Sequence, residues 1–77
     1  MNEYGPINGK VIRGGVIYWY VEGMYHREDG PAIIYPDGKV SWRLFWVEKT
    51  EEEVLQHALK AGNKKAIKNI LWRKYEL

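Results

Sequence analysis

The sequence predicts a single small α+β domain: an antiparallel β-meander of about four strands, followed by an antiparallel helix pair packed on one sheet face. Three observations predict it. Residues 1–47 alternate runs of β-branched and aromatic residues with Gly-Gly and Pro-Asp-Gly steps, the punctuation of hairpins. Residues 50–77 carry apolar residues at helical spacing behind a helix-start signal. The chain has 77 residues, which suffices for one domain and one modest core.

The elements follow in order. Lys10 to Arg13 and Gly15 to Val21 flank Gly14-Gly15, and a glycine pair accepts the positive φ of a tight hairpin. Ile17-Tyr18-Trp19-Tyr20-Val21 has the β-branched and aromatic character of a strand. A second hairpin pairs Ala32-Ile33-Ile34-Tyr35 with a strand from Lys39 to Val47 across Pro36-Asp37-Gly38. There Pro presets φ, Asp bonds the backbone and Gly takes the left-handed position. Alternation puts Val40, Trp42, Leu44 and Trp46 on one side of that last strand and Ser41, Arg43, Phe45 and Val47 on the other. Neither side is cleanly polar, so the sheet needs a cover on both faces or a partner.

Thr50 with Glu53 reads as a capping box, and Glu51, Glu52 and Glu53 complement the positive end of the helix dipole. Val54, Leu55, Ala58 and Leu59 follow at helical spacing, and Gly62 stands where a glycine ends a helix. Asn63 is placed to cap a second helix, in which Ile67, Leu71 and Tyr75 recur every fourth residue with Ala66 and Ile70 beside them. A link this short folds two amphipathic helices antiparallel.

Composition narrows the function classes. There is no cysteine, which excludes disulfides and thiolate metal sites and is compatible with a reducing cytoplasm. Residues 1–10 show neither an apolar run nor a basic region of the kind that opens a signal peptide. No stretch reaches the ~18 apolar residues of a membrane span. The expectation is a soluble cytoplasmic protein without membrane contact. A net charge of +2 is too small to imply nucleic-acid binding by itself. Four Trp and six Tyr supply either a dense core or an adhesive surface.

An imperfect repeat runs through the β-region. Gly5-Pro6 echoes Gly30-Pro31, and Gly15-Val16-Ile17-Tyr18-Trp19 echoes Gly38-Lys39-Val40-Ser41-Trp42. Residues 19–32, with His26-Arg27-Glu28-Asp29-Gly30-Pro31-Ala32 at their centre, and then Gly38 and Trp42, resemble the MORN-like repeats with an "HR-x-DGPA" core that occur in bacteriophages and large DNA viruses. The resemblance spans roughly residues 15–46. It implies a β-hairpin repeat and, by association, a small viral accessory protein. This chain has one full unit, two fragments and an appended helix pair, which implies a compact domain in place of an extended array. Residues 58–71 are similar to the helix hairpin of an ankyrin unit, which supports the antiparallel geometry.

Three groups of residues are candidates for function. His26, Arg27 and Asp29, with Gly30 and Pro31, form the polar cluster of the repeat. A His beside a carboxylate is suited to general acid–base work, but a turn built by Asp29 and braced by Arg27 is the simpler reading. Ser41 is the only serine and no phosphate-binding loop accompanies the cluster. His26 and His57, the only histidines, fall in different elements, so neither a metal nor another cofactor is expected. Tyr18, Trp19, Tyr20, Trp42, Phe45 and Trp46 lie on adjacent strands, and Trp19, Tyr25, Trp42, Arg43 and Trp46 form the candidate partner-binding set. Lys64, Lys65, Lys68, Arg73 and Lys74 give the last helix a basic surface for nucleic acid or an acidic partner, or simply a solvated face.

The expected function is that of a small non-enzymatic viral or phage accessory protein. It would bind a host or phage protein and modulate it, for instance as a defence antagonist. Two alternatives stay open: a nucleic-acid-binding module using the aromatic sheet face and the basic last helix, and a homodimer or larger homo-oligomeric structural unit.

Overall fold

The computed structural model describes residues 6–75, with side chains as far as Trp72. The fold is α+β. Strands β1 (Gly9–Arg13), β2 (Val16–Val21), β3 (Met24–Tyr25), β4 (Ile33–Ile34), β5 (Val40–Leu44) and β6 (Val47–Lys49) precede helices α1 (Glu51–Ala61) and α2 (Lys64–Tyr75). All strand pairings are antiparallel, in the order β1-β2-β4-β5-β6, with β3 also hydrogen-bonded to β2.

Gly14 and Gly15 both have positive φ (58° and 80°) and join β1 to β2 as a two-residue hairpin. The Pro36-Asp37-Gly38 turn joins β4 to β5, and the Asp37 carboxylate accepts the Lys39 amide at 3.0 Å.

The strand count exceeds the expected four because two further turns lack the usual glycine pair. Glu22 (φ 50°) and Gly23 (φ 77°) fold β3 back on β2. Glu22 is held there by Asn8, whose Oδ1 accepts the Glu22 amide at 2.9 Å and whose Nδ2 donates to the Glu22 carboxylate at 2.9 Å.

Phe45 (φ 46°) and Trp46 (φ 77°) make the other turn, which corrects the expectation of one strand from Lys39 to Val47. The chain reverses after Leu44, and β6 pairs back on β5 with Leu44 opposite Val47. Face alternation therefore ends at Leu44. Two bulky residues sit in the left-handed region because two long-range bonds and one local bond hold them. The Phe45 amide donates to His26 Nδ1 at 2.9 Å, the Trp46 amide donates to the Tyr25 carbonyl at 2.9 Å, and Arg43 Nη1 donates to the Trp46 carbonyl at 3.0 Å.

The register sorts side chains between two faces. Ile17, Ile34 and Val40 lie opposite one another, as do Tyr18, Ile33 and Ser41. Ile17, Trp19, Ile34, Val40, Trp42 and Leu44 thus share one face, and Tyr18, Tyr20, Ile33, Ser41 and Arg43 share the other. The helices cover the first at its β5 end, while Val40 on the same face stays 40% exposed. Trp42 and Leu44 form a core with Val54, Ala58, Ala66 and Ile70, against which Leu55 and Ile67 pack.

The helix signals act as their chemistry dictates. Thr50 and Glu53 exchange capping-box bonds of 2.8 and 3.1 Å, and Gly62 ends α1 in the left-handed region (φ 67°). Asn63 Oδ1 accepts the Ala66 amide at 3.0 Å at the start of α2. One detail shifts. The most buried positions of α2 are Ala66 and Ile70, while Ile67 and Leu71 are half-buried, so the stripe is rotated by one residue from the Ile67–Leu71–Tyr75 line. The small side chains of Ala58 and Ala66, both buried, let the helices approach closely there. The Tyr75 side chain lies outside the described residues. Among the described residues no helix is long and apolar enough to cross a membrane.

Candidate functional site

The sheet face turned away from the helices carries an aromatic cluster. Period-2 alternation in β2 places Tyr18 and Tyr20 on it, and the β2–β3 register sets Tyr25 opposite Tyr20. The Tyr18 and Tyr25 rings stack with centroids 5.7 Å apart and planes 17° apart, and Tyr20 lies 5.3 Å from Tyr25. Trp46, carried on the Phe45–Trp46 turn, meets Tyr25 edge-on at 5.0 Å and 74°. Tyr20 is buried in this cluster, Tyr18 and Tyr25 are half-buried, and Trp46 is 51% exposed. Burial pushes the Tyr20 hydroxyl above its ordinary 10.0, and the neighbouring Tyr25 adds to that. Tyr20 is therefore a neutral hydrogen-bonding phenol at physiological pH.

Two guanidinium groups border the cluster. Arg43 is fixed by donating from Nε to Ser41 Oγ at 2.9 Å and from Nη1 to the Trp46 carbonyl at 3.0 Å. The Arg13 guanidinium carbon stands 5.8 Å from the Tyr18 ring centroid.

The HR-x-DGPA residues form a clasp in the loop from β3 to β4. His26 is 5% exposed. Its Nδ1 accepts the Phe45 amide, so Nε2 carries the proton in the neutral ring and donates to Glu28 at 2.9 Å. The His26 ring also lies 4.0 Å from the Phe45 ring. Arg27 stacks on Trp19 with its guanidinium carbon 3.9 Å from the ring centroid. It also donates to Asp29 at 2.9 Å and to the Pro31 carbonyl at 3.2 Å. A Cβ at Gly30 would come within 2.7 Å of that guanidinium carbon, so a side chain here would displace the Arg27 head from its place. Asn69 Nδ2 of α2 donates to the second Asp29 oxygen at 3.0 Å. Partial burial raises the Asp29 pKa, but the bonds from Arg27 and Asn69 and the Arg27 charge outweigh it and hold the carboxyl below its ordinary 3.8.

Glu28 also approaches His57 Nε2 of α1 at 3.9 Å. Among the described residues no group of three or more His, Asp or Glu side chains is placed to hold a metal ion. An open trough of about 660 Å³ runs beside α1, lined in part by Leu44, Lys49, Glu53, His57 and Lys60. Its mixed charges favour no particular ligand charge.

The structure divides the sequence-predicted partner-binding set. Tyr25, Arg43 and Trp46 come together on the open face. Trp42 does not join them. It is 9% exposed in the core beneath the helices, and meeting a partner would require the helices to leave. Trp19 is on the helix side of the sheet, between Arg27 and Lys10, whose ammonium lies 5.7 Å from its ring. Lys64, Lys65 and Lys68 are exposed on α2, so the sheet separates them from the tyrosines, and the Arg73 and Lys74 side chains lie outside the described residues. Arg13 is the residue that sequence reasoning passed over. The signal was the Gly14-Gly15 turn, whose two-residue geometry sets Arg13 opposite Val16, on the side of Tyr18.

No protein-family model, curated protein or solved structure matches this chain.

Proposed function

We propose that this chain is a small non-enzymatic binding domain that engages a protein partner through the sheet face opposite its helices. Extending the resemblance of residues 15–46, its setting is that of a viral or phage accessory protein acting on a host or phage protein, with antagonism of a defence system as one such role. The observation that carries the reading is the cluster of Tyr18, Tyr20, Tyr25 and Trp46 bordered by a pre-ordered Arg43. Tyr, Trp and Arg are the residues that dominate protein interfaces, and here they sit on the sheet face turned away from the helices, with Tyr20 buried beneath its neighbours and Trp46 half-exposed. The non-enzymatic part rests on His26. It is buried, and its ring nitrogens already serve the Phe45 amide and Glu28.

The nucleic-acid alternative has less support. It draws on the aromatic rings and on Lys64, Lys65 and Lys68 together, and a single strand would have to wrap around the sheet edge to touch both.

The test is capture from host-cell lysate with the tagged wild-type chain and with Trp46→Ala, each with and without nuclease. The expected result is one protein retained after nuclease treatment by the wild type and lost with Trp46→Ala. Retention that vanishes with nuclease, or that is indifferent to Trp46, overturns the reading. A solution mass at a multiple of the chain mass that falls to monomer in Trp46→Ala would assign the face to self-association instead.

A further inference from the structure

The open face carries an uneven charge that specifies its partner. Among the described residues, Arg27 on the helix side is neutralised by Asp29 at 2.9 Å, whereas neither Arg13 nor Arg43 has a carboxylate within ion-pair distance. Even Glu48, the cross-strand neighbour of Arg43, makes no ion pair with it. Arg43 is nevertheless held in one place by two neutral oxygens, the Ser41 hydroxyl and the Trp46 carbonyl. A guanidinium ordered by neutral acceptors retains both its full charge and its outward donors.

The two arginines also have a defined separation. The register sets Arg13 level with Val16 and, three strands across, Arg43 level with Tyr20. Their Cα atoms lie on a diagonal that crosses the tyrosines, but both heads lean inward, Arg13 over the Tyr18 ring and Arg43 onto Ser41, which is level with Tyr18 two strands away; with ordinary strand spacing the two charges are about 12 Å apart, a distance matched by about four residues of extended chain.

We propose that the face receives an extended, acidic protein segment, with one carboxylate on Arg13, one on Arg43 and apolar or aromatic residues between them on the Tyr18–Tyr25 rings and Trp46. This rests on the protein-binding reading above and names the chemistry of that partner. A cationic ligand is disfavoured because Arg13 already stands over the Tyr18 ring and Arg43 adds a second positive charge at the border of the cluster. A polyanionic nucleic acid would gain only two cations here, because the lysines of α2 are on the other side of the sheet.

The test uses labelled synthetic peptides, each with an interior of Pro and Tyr, whose two Glu residues are four or eight positions apart, and the matching Gln peptides. Binding is read by fluorescence anisotropy against the full chain and against Arg13→Gln, Arg43→Gln and Trp46→Ala. Arg13 is exposed and makes no hydrogen bond among the described residues, so Arg13→Gln keeps the test valid even if Arg43→Gln loosens the turn.

The expected result is that the four-spaced Glu peptide binds at least ~10-fold tighter than its Gln counterpart and than the eight-spaced peptide. Arg13→Gln should lower that affinity several-fold. Equal binding of Glu and Gln peptides, no binding by the whole series, or preference for a single-stranded oligonucleotide over every peptide overturns the inference. A lysate partner lost with Trp46→Ala but retained by both Arg→Gln variants would overturn it while leaving the protein-binding reading standing. Loss of the partner with neither Trp46→Ala nor the Arg→Gln variants would remove both.

Discussion

The Nδ1 atom of His26 accepts the backbone amide of Phe45 at 2.9 Å, across 19 residues of sequence, and this bond positions the turn that carries Trp46. A buried residue of the β3–β4 loop is thereby tied to the most exposed ring of the aromatic face. The clasp and the candidate site are one mechanical unit.

Removing the acceptor should therefore loosen the turn. His26→Ala leaves the Phe45 amide without its partner and opens a gap against the Phe45 ring. It is expected to cost about 1–3 kcal/mol for the unmet amide alone. Urea unfolding measures the loss. A change in Trp46 emission before the main transition would show that the turn goes first, and unchanged stability would contradict the role given to His26.

Gly30 and Arg27 should be coupled. A methyl group at Gly30 displaces the guanidinium that stacks on Trp19, so Gly30→Ala is expected to destabilise the chain by about 1–3 kcal/mol. With Arg27→Ala already present, the same change should cost much less. A double-mutant cycle reads the difference, and additive effects would refute the coupling.

Acid stability should report Asp29. Its folded pKa is depressed, so the stability it supplies is complete above the unfolded value near 3.8 and is lost as pH falls through the lower folded value. Asp29→Asn should flatten the stability curve in that acid range. Asn69→Ala should shrink the same limb without removing it, because Arg27 still holds the carboxylate.

The tryptophans should separate by role. Trp42→Ala empties a core site and is expected to cost about 3–5 kcal/mol, enough to threaten folding in a domain this small. Trp46→Ala removes a half-exposed ring and should cost well under half as much while changing binding. Equal thermal shifts for the two would place Trp46 in the core and weaken the site.

Alkaline solution should weaken the aromatic cluster. The Tyr20 hydroxyl has a raised folded pKa, so its contribution is intact below about 10.0 and declines as pH rises through the folded value. Tyr20→Phe should remove that part of the decline, seen by following stability above that pH.

The parts legible in sequence were those whose cause is local. Gly14-Gly15 and Pro36-Asp37-Gly38 dictate turns through their own backbone preferences. Thr50, Glu53, Gly62 and Asn63 start and stop helices through bonds to groups within a few residues, so the α+β class and both helix boundaries could be read directly. Arg27 and Asp29 are close enough in sequence to pair without knowledge of the fold. The Phe45–Trp46 reversal has no local cause. Neither residue favours positive φ, and it exists because His26 and Tyr25 arrive from elsewhere to hold it, with the neighbouring Arg43 adding a bond to the Trp46 carbonyl. For the same reason tertiary structure alone decided that Trp42 belongs to the core and Trp46 to the surface. Alternation puts both on one side of a strand, and only the turn between them, with the helices closing over Trp42, sends one ring inward and leaves the other in solvent.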